Sequence, residues 1–172
     1  MAEVLLIPPS EIAAQTIMGA NVDLDKWVFC IADVQNIMLQ RLLGTLLFDK
    51  MVTDWTDPPT YAGLYNTLYV DYIKPILKYQ ATATYIEIAS YTLANGGLFK
   101  NQPANSEVVD KEEAQFLAQK YSANAQEYIL RFDKFIINNP IAEYKTWQDE
   151  VNASKTVKVT GGWWFPNNNS DE

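Results

Sequence analysis

Apart from 13 Lys and Arg, the titratable side chains are carboxylates and phenols with one exception: 21 Asp and Glu, 10 Tyr, a single Cys and no His. Without His the commonest general base and the commonest metal ligand are both missing. One Cys makes neither a Cys-rich zinc site nor an intrachain disulfide. Asp23 and Asp25 in "VDLD" offer two carboxylates to a divalent cation. Two acids ahead of a helix are far more often caps that also favour the macrodipole. Glu112 and Glu113 have the look of a solvated helix start. Cys30 sits on an apolar stretch and reads as a buried, inert thiol. None of the 7 glycines falls in a G-x-G-x-x-G or G-x-x-x-x-G-K pattern, and no serine has a G-x-S-x-G context. The expectation is a non-enzyme with no catalytic, cofactor or metal residue.

The elements that must carry these side chains are read from hydrophobic period. The chain's 172 residues suffice for one domain with a core, and 48% are hydrophobic against 20% charged. No apolar run approaches the ~18 residues of a membrane span. "MAEVLLIPPSE" has no basic n-region, so no signal peptide is expected. The net charge of −8 comes with scattered Lys and Arg, which argues against a nucleic-acid grip.

Residues 1–22 read as an N-terminal arm. In it "VLLI" (4–7) is a short strand, and "SEIAAQTIM" (10–18) two helical turns capped by Ser10. A long helix follows from Asp23 or Asp25 to about Met51, with Trp27, Ile31, Val34, Met38 and Leu42 on its apolar stripe. Gly44 inside it is either a tolerated glycine or a point of close backbone approach. "TDWTDPPTY" is a loop, with Pro58 opening a second, Tyr-rich helix. Pro75 ends that helix, and a third runs to about Leu93, stopped by "NGG". Phe99 stands at the tip of the next loop. A fourth helix starts at an Asp110–Glu113 capping box and carries Phe116, Tyr121, Tyr128, Phe132 and Phe135. A short fifth spans about 141–151, and "KTVKVT" (155–160) alternates like a strand. The expected fold is all-α: a bundle of about four long helices with a short fifth, a core at 23–151, and extended arms at 1–22 and 152–172. The Tyr-rich stripe is expected to pack helices while its hydroxyls reach water.

"FCIADVQNIMLQRLLGTLLFDKM" (29–51), with "YNTLYVDYIKPILKYQA" (65–81), resembles the small helical head–tail connector proteins of tailed bacteriophages. Ala32, Val34, Gln35, Ile37, Leu43, Gly44, Leu47 and Phe48 supply the pattern of that family's first helix. The wider layout is nearest the ring proteins of crAss-like and related phages of Bacteroides. It includes the Lys74-Pro75 break, the long helix "EEAQFLAQKYSANAQEYILRFDKFI" and a Gly-Trp tail. The likeness covers about 25–165, and it is a pattern of helices with no catalytic motif. Leu42 stands where the family often has a polar residue. The resemblance implies a virion protein of the head–tail junction, made in the host cytoplasm. It assembles as a homo-oligomeric ring, typically of twelve copies, below the portal protein. The ring extends the DNA channel without specific DNA binding, docks an adjacent tail or ring protein, and has no membrane. An acidic chain suits such a conduit, because a polyanion slides past carboxylates. Asp110, Glu112 and Glu113, or Asp54 and Asp57, are candidates to face the channel. The alternative is a monomeric helical binding module or phage adaptor.

The residues expected to bind partners lie at the ends and in one loop: Trp163, Trp164 and Phe165, Leu5, Leu6 and Ile7, and Phe99. Gly161 and Gly162 form a hinge before the three tail aromatics, and Pro166 prevents a regular continuation. Exposed together, such aromatics are an aggregation liability that either a partner pocket or packing back over the chain's own Tyr-rich helices removes. Trp163→Ala with Trp164→Ala is expected to abolish ring or portal association in a pull-down, while helical circular dichroism stays unchanged.

Overall fold

Every fourth residue from Trp27 to Met51 is buried: Trp27, Ile31, Gln35, Leu39, Leu43, Leu47 and Met51. On an ideal α-helix a file of fours drifts by about 40° per step, because four residues overshoot a 3.6-residue turn. The computed structural model shows how the chain absorbs that drift. It describes residues 4–16, 24–89, 91–94, 97–100, 111–146 and 148–151. Helix α2 (Leu24–Asp33) widens into a π segment, Val34–Leu39, before α3 (Gln40–Leu43). In the π segment the Gln40 N–H reaches back five residues to the Gln35 carbonyl. The wider turn rotates the file back towards the core. Met38 and Leu42 therefore sit only partly buried beside the core that Leu39 and Leu43 enter.

The long first helix expected from the sequence is broken at Gly44. This residue has φ 74° and ψ 161°, a conformation close to glycine-only. Helix α4 (Thr45–Thr53) starts immediately after it. A Cβ at Gly44 would lie 2.2 Å from the Lys145 carbonyl oxygen. The glycine thus serves both a break and a close approach. Glu150, more than a hundred residues away, caps the new helix. Its Oε1 accepts the Thr45 N–H at 2.8 Å, and its Oε2 accepts the Thr45 hydroxyl at 2.9 Å. Residues 148–151 form one helical turn, begun by a bond from the Asp149 N–H to the Thr146 hydroxyl. Only this turn occupies the region expected to be a fifth helix.

The second and third expected helices are one. The loop runs through Gly63, and Leu64, not Pro58, opens α5 (Leu64–Leu68). A second π segment, Tyr69–Ile73, leads directly into α6 (Lys74–Ala89). Pro75 does not end the helix. The preceding wide turn, in which the Lys74 N–H bonds the Tyr69 carbonyl five residues back, already departs from the regular ladder that a proline disrupts. Tyr69, Ile73, Leu77, Ala81 and Tyr85 form a second buried file of fours.

The third expected helix also stops short of Leu93. Strands β1 (Tyr91–Ala94) and β2 (Gly97–Lys100) pair antiparallel, with Thr92 opposite Phe99 and Leu93 opposite Leu98. Phe99 is therefore a strand residue rather than a loop tip. Helix α7 (Lys111–Asn138) agrees with the fourth expected helix to within a residue at each end. The described residues are mostly helical, joined by this one hairpin.

α6 is the central element. It packs along α7 and against α2, whereas α2 and α7 share no comparable contact. Trp27 and Tyr85 stack at 4.6 Å between ring centres and nearly parallel, joining α2 to α6. Tyr79 lies between Tyr121 and Tyr128, and Tyr72 against Phe135, along the α6–α7 seam.

Gly44→Ala adds a backbone clash to an unfavourable φ and is expected to cost about 3 kcal/mol or more. Gly63→Ala, at φ 58° but with open space around it, carries the backbone penalty alone, about 1–3 kcal/mol. Urea denaturation of the two variants checks the order.

Candidate assembly surfaces and the N-terminal clamp

The N-terminal segment is neither a strand nor a free arm. Leu6 and Ile7 are buried in the core, and Leu5 packs against it. α1 (Pro9–Gln15) begins at Pro9, so Ser10 lies within the helix and does not cap it. Proline at the first helical position loses no bond and is preset for the helix. What holds the preceding backbone is side chain. Gln35 Oε1 accepts the Leu6 N–H at 2.9 Å, and Gln35 Nε2 donates to the Val4 carbonyl at 2.8 Å. The Tyr69 hydroxyl donates to the Leu6 carbonyl at 2.7 Å. Gln35 lies in the first π segment and Tyr69 in the second. Each wide turn thus directs one polar group onto the same short piece of chain. The partly buried Lys74–Glu11 ion pair and the exposed Lys78–Gln15 hydrogen bond add contacts from α6 to α1.

The hydroxyls of three stripe tyrosines bond protein groups rather than being left to water. Tyr69 holds Leu6, Tyr61 donates to the Met51 carbonyl, and Tyr65 donates to Glu143 at 2.7 Å. Burial pushes the Tyr69 phenol up to about 12, and burial raises Tyr61 as well. The hydrogen bond from Tyr65 lowers the Glu143 carboxyl and raises the phenol. Cys30 is buried, and desolvation with Asp33 nearby pushes its thiol up to about 11, so it remains protonated and unreactive.

The other residues singled out from sequence are scattered. Trp163, Trp164 and Phe165 lie outside the described residues, as do Asp23, Asp110 and the 155–160 strand. Glu112 and Glu113 are exposed in the first turn of α7. Asp54 pairs with Lys50 at 2.8 Å, and Asp57 is exposed in the loop. Among the described residues no cluster of His, Cys, Asp and Glu could hold a metal ion. Among them, too, no helix is long and apolar enough to cross a membrane.

Two apolar files face outward. On α2 and the first π segment they are Val28, Phe29 and Ile37; on α7 they are Phe116, Leu130 and Ile137. Phe29 is 58% exposed, Ile37 70% and Ile137 78%, values suited to contact surface rather than core. Phe116, expected on the inner face of its helix, is on the outer one. The signal was available in sequence. Phe116, Ala123, Leu130 and Ile137 recur every seven residues, out of phase with the buried Ala118, Ala125 and Phe132.

The model of a family of unknown function, DUF6712, matches residues 39–157, well over half of the chain. The chain belongs to this family. No curated protein matches it, and no solved structure does. The DUF6712 region contains Gly44, Tyr69, Glu150 and all of α7; Gln35 and α2 precede it.

Gln35→Leu leaves the buried Leu6 N–H and the Val4 carbonyl without partners and is expected to cost about 1–3 kcal/mol for each group left unpaired. Stability should also fall at high pH. A phenol whose folded pKa is raised stabilises fully below its unfolded value near 10, and that contribution is lost as pH rises towards the folded value. For Tyr69 the window is pH 10 to about 12, with a slope up to about 1.4 kcal/mol per pH unit. Urea denaturation across that range should show a shallower fall for Tyr69→Phe.

Proposed function

We propose that the chain is a non-catalytic structural subunit of a virion, a head–tail connector that assembles as a ring below the portal. The observation that carries this reading is the pair of outward apolar files on α2 and α7, two helices that share no comparable contact. Large apolar side chains exposed in a row mark a surface that another protein covers. Alternating charge along both files keeps each subunit soluble before it assembles. The resemblance to phage connectors supplies the identity of the assembly, including its twelve copies, its portal and tail neighbours, and the DNA passing through it. The net charge of −8 supports passage of DNA without adhesion.

Co-expression with the portal protein of the same genome tests the reading. The expected result is co-elution of the two proteins and closed rings in negative-stain micrographs. A chain that elutes apart from portal and forms no ring would overturn it.

A further inference from the structure

The two outward files have matching chemistry. On residues 25–41 apolar and charged side chains alternate every four: Phe29, Asp33, Ile37, Arg41. On α7 they alternate in steps of three and four: Glu127, Leu130, Lys134, Ile137. Laid antiparallel, one register sets Arg41 over Glu127, Ile37 over Leu130, Asp33 over Lys134 and Phe29 over Ile137. Two ion pairs of opposite sense and two apolar pairs then coincide. Among the described residues none of these four charged side chains has an ion-pair partner within its own chain.

The lengths agree for a physical reason. Glu127 to Ile137 advances ten residues, about 15 Å along an α-helix. Phe29 to Arg41 advances twelve, but six of the residues between them form the π segment Val34–Leu39. A π turn packs more residues into each turn, which brings the two spans close to the same length. Both files are exposed and α2 shares no comparable contact with α7, so the two files do not cover one another within one copy.

We infer that the α2 file of one copy docks antiparallel on the α7 file of the next copy, head to tail. Two different faces make a heterologous contact, which propagates and closes into a ring when the rotation permits. The inference rests on the structural-subunit reading for the kind of assembly, and on the two files for the contact itself. A patch of this length is at the small end of interface sizes, so association between free copies is expected to depend on concentration in the micromolar range.

Mass photometry and light scattering of the full chain over a concentration series test the contact. Asp33→Lys sets a second ammonium group against Lys134, and Lys134→Asp sets a second carboxylate against Asp33. Each single reversal is expected to weaken association on the order of tenfold or more, since facing like charges are strongly disfavoured. The double variant, or an equal mixture of the two single variants, should restore it. All four residues are at the surface or partly so, and circular dichroism should be unchanged throughout. Wild type that stays monomeric across the series overturns the contact. So does association that stops at a dimer, which would mean a two-fold contact, and so do reversals without effect. Those last two results leave the portal test of the structural reading intact.

Discussion

Side chains that recur every fourth residue stay on one side of a helix only if its turns are widened or its axis is broken. This chain has two such files, Trp27 to Met51 and Tyr69 to Tyr85, and both face the same core. The π segments Val34–Leu39 and Tyr69–Ile73 supply the widening, and Gly44 supplies a break. Much of the remaining architecture follows from that accommodation. Two polar side chains carried by the wide turns find specific work. Gln35 and Tyr69 capture the backbone of residues 4–6, which brings Leu6 and Ile7 into the core. The same widening lets a helix containing Pro75 continue without interruption.

The ends of the described chain are therefore structural. The N-terminal segment is fixed by two side chains from distant helices. At the other end, Glu150 replaces the local cap that Thr45 lacks, and the Lys145 carbonyl occupies the space a side chain at residue 44 would need. Each is a long-range polar contact where ordinary helices use a neighbour in sequence. Such contacts tie the order of the termini to the integrity of α4 and the π segments, so truncation from either side should be felt in the core.

The surface has a different logic. The outer faces of α2 and α7 keep large apolar side chains among charges of both signs, and both helices pack on α6. A lone exposed Leu is ordinary, but a file of them at helical spacing has the character of half an interface. The tyrosines, the most conspicuous feature of the composition, are mostly occupied elsewhere. They line the α6–α7 seam and bond loops and termini to the body. This division suits a part whose task is to be rigid and to be covered.

The sequence by itself determined the helical class, the extent of α7 and the absence of histidine chemistry. These follow from local period, capping and composition, which the chain carries residue by residue. It also contained the seven-residue spacing of Phe116, Leu130 and Ile137, though that spacing is not conclusive without knowing what lies opposite. Tertiary structure alone decided that Gly44 breaks a helix, because the reason is a carbonyl about a hundred residues away. It decided that Pro75 does not break one, because the preceding turn is wide. It decided that Leu6 and Ile7 are core and Phe116 is surface, because burial depends on which face a partner element covers. Gln35 shows the difference most clearly. In sequence it is one polar residue in an apolar file; in the fold it is the group that holds the N-terminus, since only the folded chain brings Val4 and Leu6 within reach of its amide.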